Sequence, residues 1–302
     1  MTQVFLDYDQ KGLDDAYDQA VYAPNREQVL ARLAHTSELV RRRLGAPERH
    51  AYGESAIEGL DLYRTKAARA PLVVFVHGGA WRAGLAKAYA FPAEPLVRAG
   101  SHYAALDFNN VMETGGDLMP MAEQVRRAIA WACKNAERLG ADPRRVYICG
   151  TSSGAHLGGV AATTDWTRYG LAADPVRGYT LVSGMYDLRG PRLSKRSAYV
   201  KFTDEMEEAL SPQRHIARVN APIVLVYGSF ETPEFQRQSR DFADALTRAG
   251  KSCEVIRAEG YNHFEIAETL GNPYGPAGRA LLAQLKLNSG TEPDLIRAPS
   301  PI

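Results

Sequence analysis

The stretch that most constrains this chain runs from Arg144 to Ala161, RRVYICGTSSGAHLGGVA. Val146-Tyr147-Ile148-Cys149 is an apolar run long enough for a buried strand and too short for a helix. It breaks at Gly150-Thr151-Ser152-Ser153-Gly154, a Gly-x-Ser-x-Gly, and resumes as the small, apolar Ala155-His156-Leu157-Gly158-Gly159-Val160-Ala161, the composition of a helix packed on a sheet. A strand that becomes a helix within one residue holds that residue in a strained conformation. Its neighbours two positions away must then lack side chains. Gly150 and Gly154 meet that need, leaving Ser152 at the tip of the turn with the new helix's first N–H groups behind it. The motif alone also fits a plain Gly/Ser loop; the strand before it and the helix after it make Ser152 a candidate nucleophile.

The rest of the chain reads as alternating strands and helices. Residues 25–44 carry one apolar stripe, Val29, Leu30, Leu33, Leu39 and Val40, and predict a helix closed by Arg41-Arg42-Arg43. Before it, Tyr8, Tyr17 and Tyr22 mark a segment too polar to be core throughout, which reads either as a surface arm or as a flap over the mouth of a site. Ala51–Ile57 and Leu60–Thr65, separated by Glu58-Gly59, read as a hairpin. Pro71–Val76 is a strand buried on both faces; Gly178–Ser183, Pro222–Tyr227 and the shorter Cys253–Ala258 repeat the pattern, and Ser101–Phe108 is a further strand. Helices are expected over Met121–Leu139, Glu234–Ala249 and Pro276–Leu287. Such alternation predicts an α/β fold, a mostly parallel sheet covered by helices on both faces, over residues 1–288, with a helical arm at 1–46 and a loose polar tail at 289–302.

Chemistry in such sheets sits at the carboxyl ends of the strands, and three places there suit a serine. His77-Gly78-Gly79-Ala80-Trp81 follows the strand ending at Val76; backbone N–H groups of Gly78, Gly79 and Ala80, with that of Ser153, are candidate donors to a developing oxyanion, and His77 is expected to brace the loop. Tyr261-Asn262-His263-Phe264 follows the last strand. Of seven histidines, His263 alone combines that position with a place downstream of an acid, so it is the candidate base. Gly228-Ser229-Phe230-Glu231-Thr232-Pro233-Glu234 follows the strand ending at Tyr227 and offers Glu231 to orient the histidine. Glu234, expected at a helix start for the helix dipole alone, and Asp187, after the preceding strand, remain alternatives.

Charge and cysteine usage narrow the function classes. A formal net charge of +1 gives no basic surplus for nucleic acid. Cys133, Cys149 and Cys253 show no metal-ligand spacing and read as buried free thiols of a reducing compartment; neither a metal nor a cofactor is expected. The acidic N-terminus lacks the apolar core of a signal peptide, and no apolar run reaches membrane-spanning length. The expectation is a cytoplasmic protein with neither nucleic-acid nor membrane partner.

Gly-Thr-Ser-Ser-Gly at 150–154, His-Gly-Gly-Ala-Trp at 77–81, Glu-Thr-Pro-Glu-Phe at 231–235 and Tyr-Asn-His-Phe-Glu at 261–265 together resemble the α/β-hydrolase superfamily. Within it, the chain is similar to the kynurenine formamidase (arylformamidase) branch, beside the hormone-sensitive-lipase-like esterases. The resemblance implies a Ser152–Glu231–His263 triad, an oxyanion hole in the 77–81 loop, and hydrolysis of a small aryl formamide or related amide. A carboxylesterase for short acyl esters is the alternative, and a non-catalytic binding module of the same fold a third. The resemblance also suggests a homodimer, since an edge strand or helix often pairs in this superfamily. One departure stands out: after the strand ending at Phe108 such esterases often carry a Tyr-Arg-Leu-Ala-Pro-Glu-like stretch, where this chain has Asp107–Gly116. That segment is expected to border the pocket.

The insert at about 186–215 is placed to act as a cap. Its first half is basic (Arg189, Arg192, Lys195, Arg196, Lys201) and its second acidic (Asp204, Glu205, Glu207, Glu208). The charges either attract a carboxylate-bearing substrate or pair with each other across turns. Trp81, Asn110 and Tyr186, with Tyr199, are candidates for the pocket lining, although the aromatic ones fit plain packing equally.

Overall fold

The computed structural model describes residues 2–288, so the segment read as a tail lies outside the described residues. One eight-stranded sheet runs through the molecule in the order β1-β2-β4-β3-β5-β6-β7-β8. The strands are β1 (Glu48–Ala51), β2 (Gly59–Tyr63), β3 (Ala70–Val76), β4 (His102–Leu106), β5 (Ala141–Thr151), β6 (Tyr179–Val182), β7 (Ile223–Gly228) and β8 (Cys253–Ala258). β1 and β2 pair antiparallel, as do β2 and β4; every later pairing is parallel. This is the α/β arrangement expected from the alternating pattern.

The period of two along a strand sorts the apolar side chains onto two faces. Leu72, Val74 and Val76 of β3 join Ile148, Leu181 and Leu225 in one core, whereas Val73 and Phe75 join Cys149, Val182 and Val226 in the other. Helices cover both. In chain order they are α1 (Gln10–Ala16), α2 (Gln19–Tyr22), α3 (Arg26–Leu44), α4 (Ala93–Arg98), α5 (Met119–Asn135), α6 (Ser153–Ala162), α7 (Arg189–Leu193), α8 (Asp204–Ala209), α9 (Pro233–Arg248), α10 (His263–Glu268) and α11 (Pro276–Gln284). α5, α6 and α9 contribute Val125, Leu157 and Phe242 to the first core; α3 and α11 contribute Val29 and Leu281 to the second.

The structure corrects three expectations. The hairpin exists, but its first strand lies earlier, at Glu48–Ala51, because residues 52–58 form a turn in which the Glu58 carboxylate accepts from the Ser55 N–H and hydroxyl. β8 is not buried on both faces: it is the sheet's edge, and Val255 is exposed. Of the three thiols only Cys149 is fully buried; Cys133 and Cys253 are half-buried, and all three are free.

Candidate active site

Five strands deliver site residues at their carboxyl ends. β5 ends at Thr151 and gives way at once to Ser152, whose φ of 54° and ψ of −123° are outside ordinary L-residue territory. Such a conformation costs about 1–3 kcal/mol and persists only where the surroundings over-determine it. They do so here. The Ser152 N–H is tied to the Val182 carbonyl at 2.8 Å, extending the β5–β6 ladder into the turn, and its carbonyl receives the His156 N–H at 3.1 Å as α6 begins. A Cβ on Gly150 would sit 2.5 Å from the Gly154 carbonyl oxygen, and one on Gly154 would sit 2.6 Å from the Val76 carbonyl carbon. The crossing therefore admits only hydrogen at both positions.

His263 is the first residue of α10. Asn262 caps that helix, accepting from Phe264 and Glu265 N–H groups, while Glu265 returns a bond to the Asn262 N–H; this capping box fixes where the imidazole starts. The ring is buried edge-on to Phe235, with centroids 4.9 Å apart. Its Nε2 is 2.9 Å from Ser152 Oγ and its Nδ1 is 2.8 Å from Glu231 Oε2. With the carboxylate as acceptor, Nδ1 carries the proton and Nε2 is free to accept one from the serine hydroxyl.

Glu231 is buried and surrounded by donors. Its Oε1 receives the Ser183 hydroxyl at 2.5 Å and the Gly228 N–H at 2.7 Å; its Oε2 receives His263 and, at 3.5 Å, the Gln19 side-chain amide. Gln236 holds the loop from beneath by donating to the Ser229 and Glu231 carbonyls. Ser183, immediately after β6, is itself at φ 58°. Glu234 lies elsewhere: it accepts from the Tyr17 hydroxyl at 2.8 Å and pairs with Arg237. Asp187 caps Arg189 and faces Arg214 at 3.5 Å. Only Glu231 meets the imidazole.

The loop after β3 turns through three consecutive positive φ values, 120° at Gly79, 55° at Ala80 and 63° at Trp81. Gly78, Gly79 and Ala80 line the cavity that opens over Ser152. Among the described residues no acceptor receives the N–H of Gly78, Gly79, Ala80 or Ser153, the first three of which line the cavity. His77 braces the loop: its Nδ1 donates to the Gly78 carbonyl at 2.7 Å and its ring stacks on Phe108 at 4.3 Å, with burial pushing its pKa down.

The cavity has a volume of about 730 Å³. Its walls come largely from outside the sheet. The N-terminal segment supplies Tyr17, Asp18 and Gln19, and the insert supplies Lys195, Arg196 and Tyr199. Tyr17 is thus no surface residue; it is 2% exposed, and desolvation raises its hydroxyl pKa well above the ordinary value. Trp81, Asn110 and Tyr186 do not line the cavity, contrary to expectation. Trp81 turns into the core and donates to His156 Nδ1 at 3.1 Å, because its positive φ swings the indole away from the mouth. Tyr186 stacks on Phe242 at 4.3 Å, and Asn110 is spent on a local turn, accepting from the Met112 N–H. The 107–116 segment as a whole stays out of the wall. In the insert, much of the acidic half pairs with basic neighbours: Arg192 with Asp204 and Glu207, Arg214 with Glu207 and Glu208. Among the described residues no His, Cys, Asp and Glu cluster of three or more could hold a metal ion, and no helix is long and apolar enough to cross a membrane.

A mostly parallel sheet with a serine, an imidazole and a carboxylate in contact sequence at its strand ends is the architecture of an α/β-hydrolase. A family model described as BD-FAE matches residues 60–175. The kynurenine formamidase of Danio rerio is 31% identical over 226 residues, covering 72% of this chain and 75% of that protein. That of Salmo salar is 32% identical over 231 residues, with the same coverage. A hyperthermophilic esterase from the archaeon Pyrobaculum calidifontis superposes with a TM-score of 0.69 at 18% identity, covering 92% of this chain and 96% of that one, a likeness of fold alone. The chain belongs to the α/β-hydrolases, in the family of the kynurenine formamidases and hormone-sensitive-lipase-like esterases.

Proposed function

We propose that this protein is a serine hydrolase that cleaves a small aryl formamide, or a related amide, by acyl transfer. The observation that carries the reading is the unbroken chain from Ser152 Oγ to His263 Nε2 at 2.9 Å and from His263 Nδ1 to Glu231 Oε2 at 2.8 Å. Ser152 attacks the carbonyl carbon as His263 takes its proton, and Glu231 keeps the imidazole in the productive tautomer and steadies its positive form. The oxyanion is held by the N–H groups of Gly79, Ala80 and Ser153. His263 then protonates the departing amine, and water, deprotonated by the same imidazole, releases the acyl group. The N-terminal segment and the insert form the two walls of the substrate site.

The formamide preference rests on the likeness to the fish kynurenine formamidases. Its test is kcat/KM on N-formylkynurenine against 4-nitrophenyl acetate. Comparable or better turnover of the formamide supports it; a strong preference for the ester makes the protein a carboxylesterase. Ser152→Ala is expected to lower kcat by about 10⁴-fold or more on either substrate. Unchanged turnover in that variant rejects Ser152 as the nucleophile, and no turnover of either substrate by the wild type leaves a binding module.

A further inference from the structure

The cavity over Ser152 carries more positive charge than its walls neutralise. Arg26, Arg82, Lys195 and Arg196 line it, against a single acid, Asp18. Asp18 is held by Lys195 in an ion pair. Arg82 lies over the Tyr199 ring at 4.7 Å and Arg26 over Phe264 at 5.7 Å, and neither has an acidic partner among the described residues.

Arg196 is the exceptional one. It is 6% exposed, yet its guanidinium has only neutral acceptors: the Tyr199 hydroxyl at 2.9 Å and the Tyr17 carbonyl at 3.0 Å. Its Nε has no acceptor at all. The rings of Trp81 and Phe235, 5.4 and 5.8 Å away, give it partial compensation through their faces. Nearby Arg192 and Arg214 show the ordinary solution, since both reach Glu207. Asp18 acts on Arg196 only across space, since its carboxylate is bonded to Lys195; a guanidinium withdrawn from water without a bonded carboxylate is costly, and a planar fork beside a cavity suits one.

We infer that Arg196 receives a carboxylate of the substrate, so that the substrate class is an anionic aryl amide or ester. The identity of the bond cleaved rests on the serine-hydrolase reading above; the carboxylate site does not.

The experiment pairs turnover with direct binding. Wild-type protein is assayed on 2-formamidobenzoate and on formanilide, and its binding of benzoate and of benzamide is measured by calorimetry. The expected result is a kcat/KM at least about tenfold higher for the anionic formamide, and benzoate bound at least about tenfold tighter than benzamide. Arg196→Gln should erase both ratios. Equal binding of benzoate and benzamide by the wild type overturns the inference, and so does a preference that survives in R196Q. Should R196Q fail to fold, the wild-type binding ratio still decides. Equal cleavage of both formamides with no benzoate preference leaves the serine hydrolase standing without the carboxylate site; tight benzoate binding with neither formamide cleaved leaves the site standing without the formamidase.

Discussion

Replacing Glu231 with glutamine tests the site most sharply, because shape is kept and only the acceptor pattern changes. Glu231 faces two donors at each oxygen: Ser183 and Gly228 on one side, His263 and Gln19 on the other. A glutamine has one oxygen and one NH₂, so one side must meet a donor with a donor. The Gly228 N–H cannot turn away, being part of the backbone. The amide oxygen therefore settles on that side, and the NH₂ faces His263 Nδ1. That nitrogen must then accept, which moves the imidazole proton to Nε2 and removes the group that takes the proton from Ser152. In the Ser-His-Asp template this inversion costs about 10⁴-fold in kcat, or about 5 kcal/mol at about 1.4 kcal/mol per factor of ten. KM should change little, since Glu231 does not line the cavity. The assay is kcat and KM on 4-nitrophenyl acetate for E231Q beside Glu234→Gln. The second variant disturbs a buried carboxylate bonded to Tyr17 and Arg237, so it should lose thermal stability and keep most of its kcat. If E231Q turns over within about tenfold of wild type, or if E234Q is the slower enzyme, the tautomer argument is wrong.

Two further perturbations address the scaffold. Gly154→Ala forces a Cβ against the Val76 and His77 carbonyls, which are backbone of the central strand and its loop; a loss of about 3 kcal/mol or more, read as a large fall in Tm or insoluble protein, is expected. His156 is fully buried, and desolvation lowers its pKa to about 4 from an ordinary 6.5. The unfolded chain thus binds the extra proton first: the histidine's contribution is whole above about pH 6.5 and is lost as pH falls toward 4, an effect of about 3 kcal/mol. Denaturant unfolding across that range should show stability rising with pH, and His156→Gln should flatten the slope.

Much of this arrangement is legible in the residues. Strand, Gly-x-Ser-x-Gly and helix are local, and each strand-end motif announces itself by its position after an apolar run. His263 follows from chain order. Glu231 is favoured over Glu234 by its place at the strand exit, while Glu234 falls in the first turn of α9; the turn of Glu231 toward α10 is a tertiary fact that the residues alone do not give. Ser183 and Gln19, which complete the carboxylate's shell, carry no sequence signal: one is a polar residue at a strand end, the other lies in a short N-terminal helix 212 residues away. Trp81 and Tyr186 misled because aromatic side chains near a motif read alike whether they face a cavity or the core. Their backbone direction decides, and that is tertiary. The hairpin boundary departs from the alternating pattern for a local reason, the Glu58 side chain closing its own turn.

The division of labour between sheet and wall has a consequence for divergence. Ser152, His263 and Glu231 hang from the sheet and its neighbouring loops, whereas the cavity walls come largely from two peripheral stretches, around 17–33 and 195–199. Exchange of either stretch alters which molecules are admitted while the hydroxyl, imidazole and carboxylate keep their spacing. The one exception is Gln19, which reaches from the periphery to the acid itself. Change in the first of these stretches reaches the acid only through that amide, which stands 3.5 Å from Glu231 Oε2 beside the shorter bonds from Ser183, Gly228 and His263.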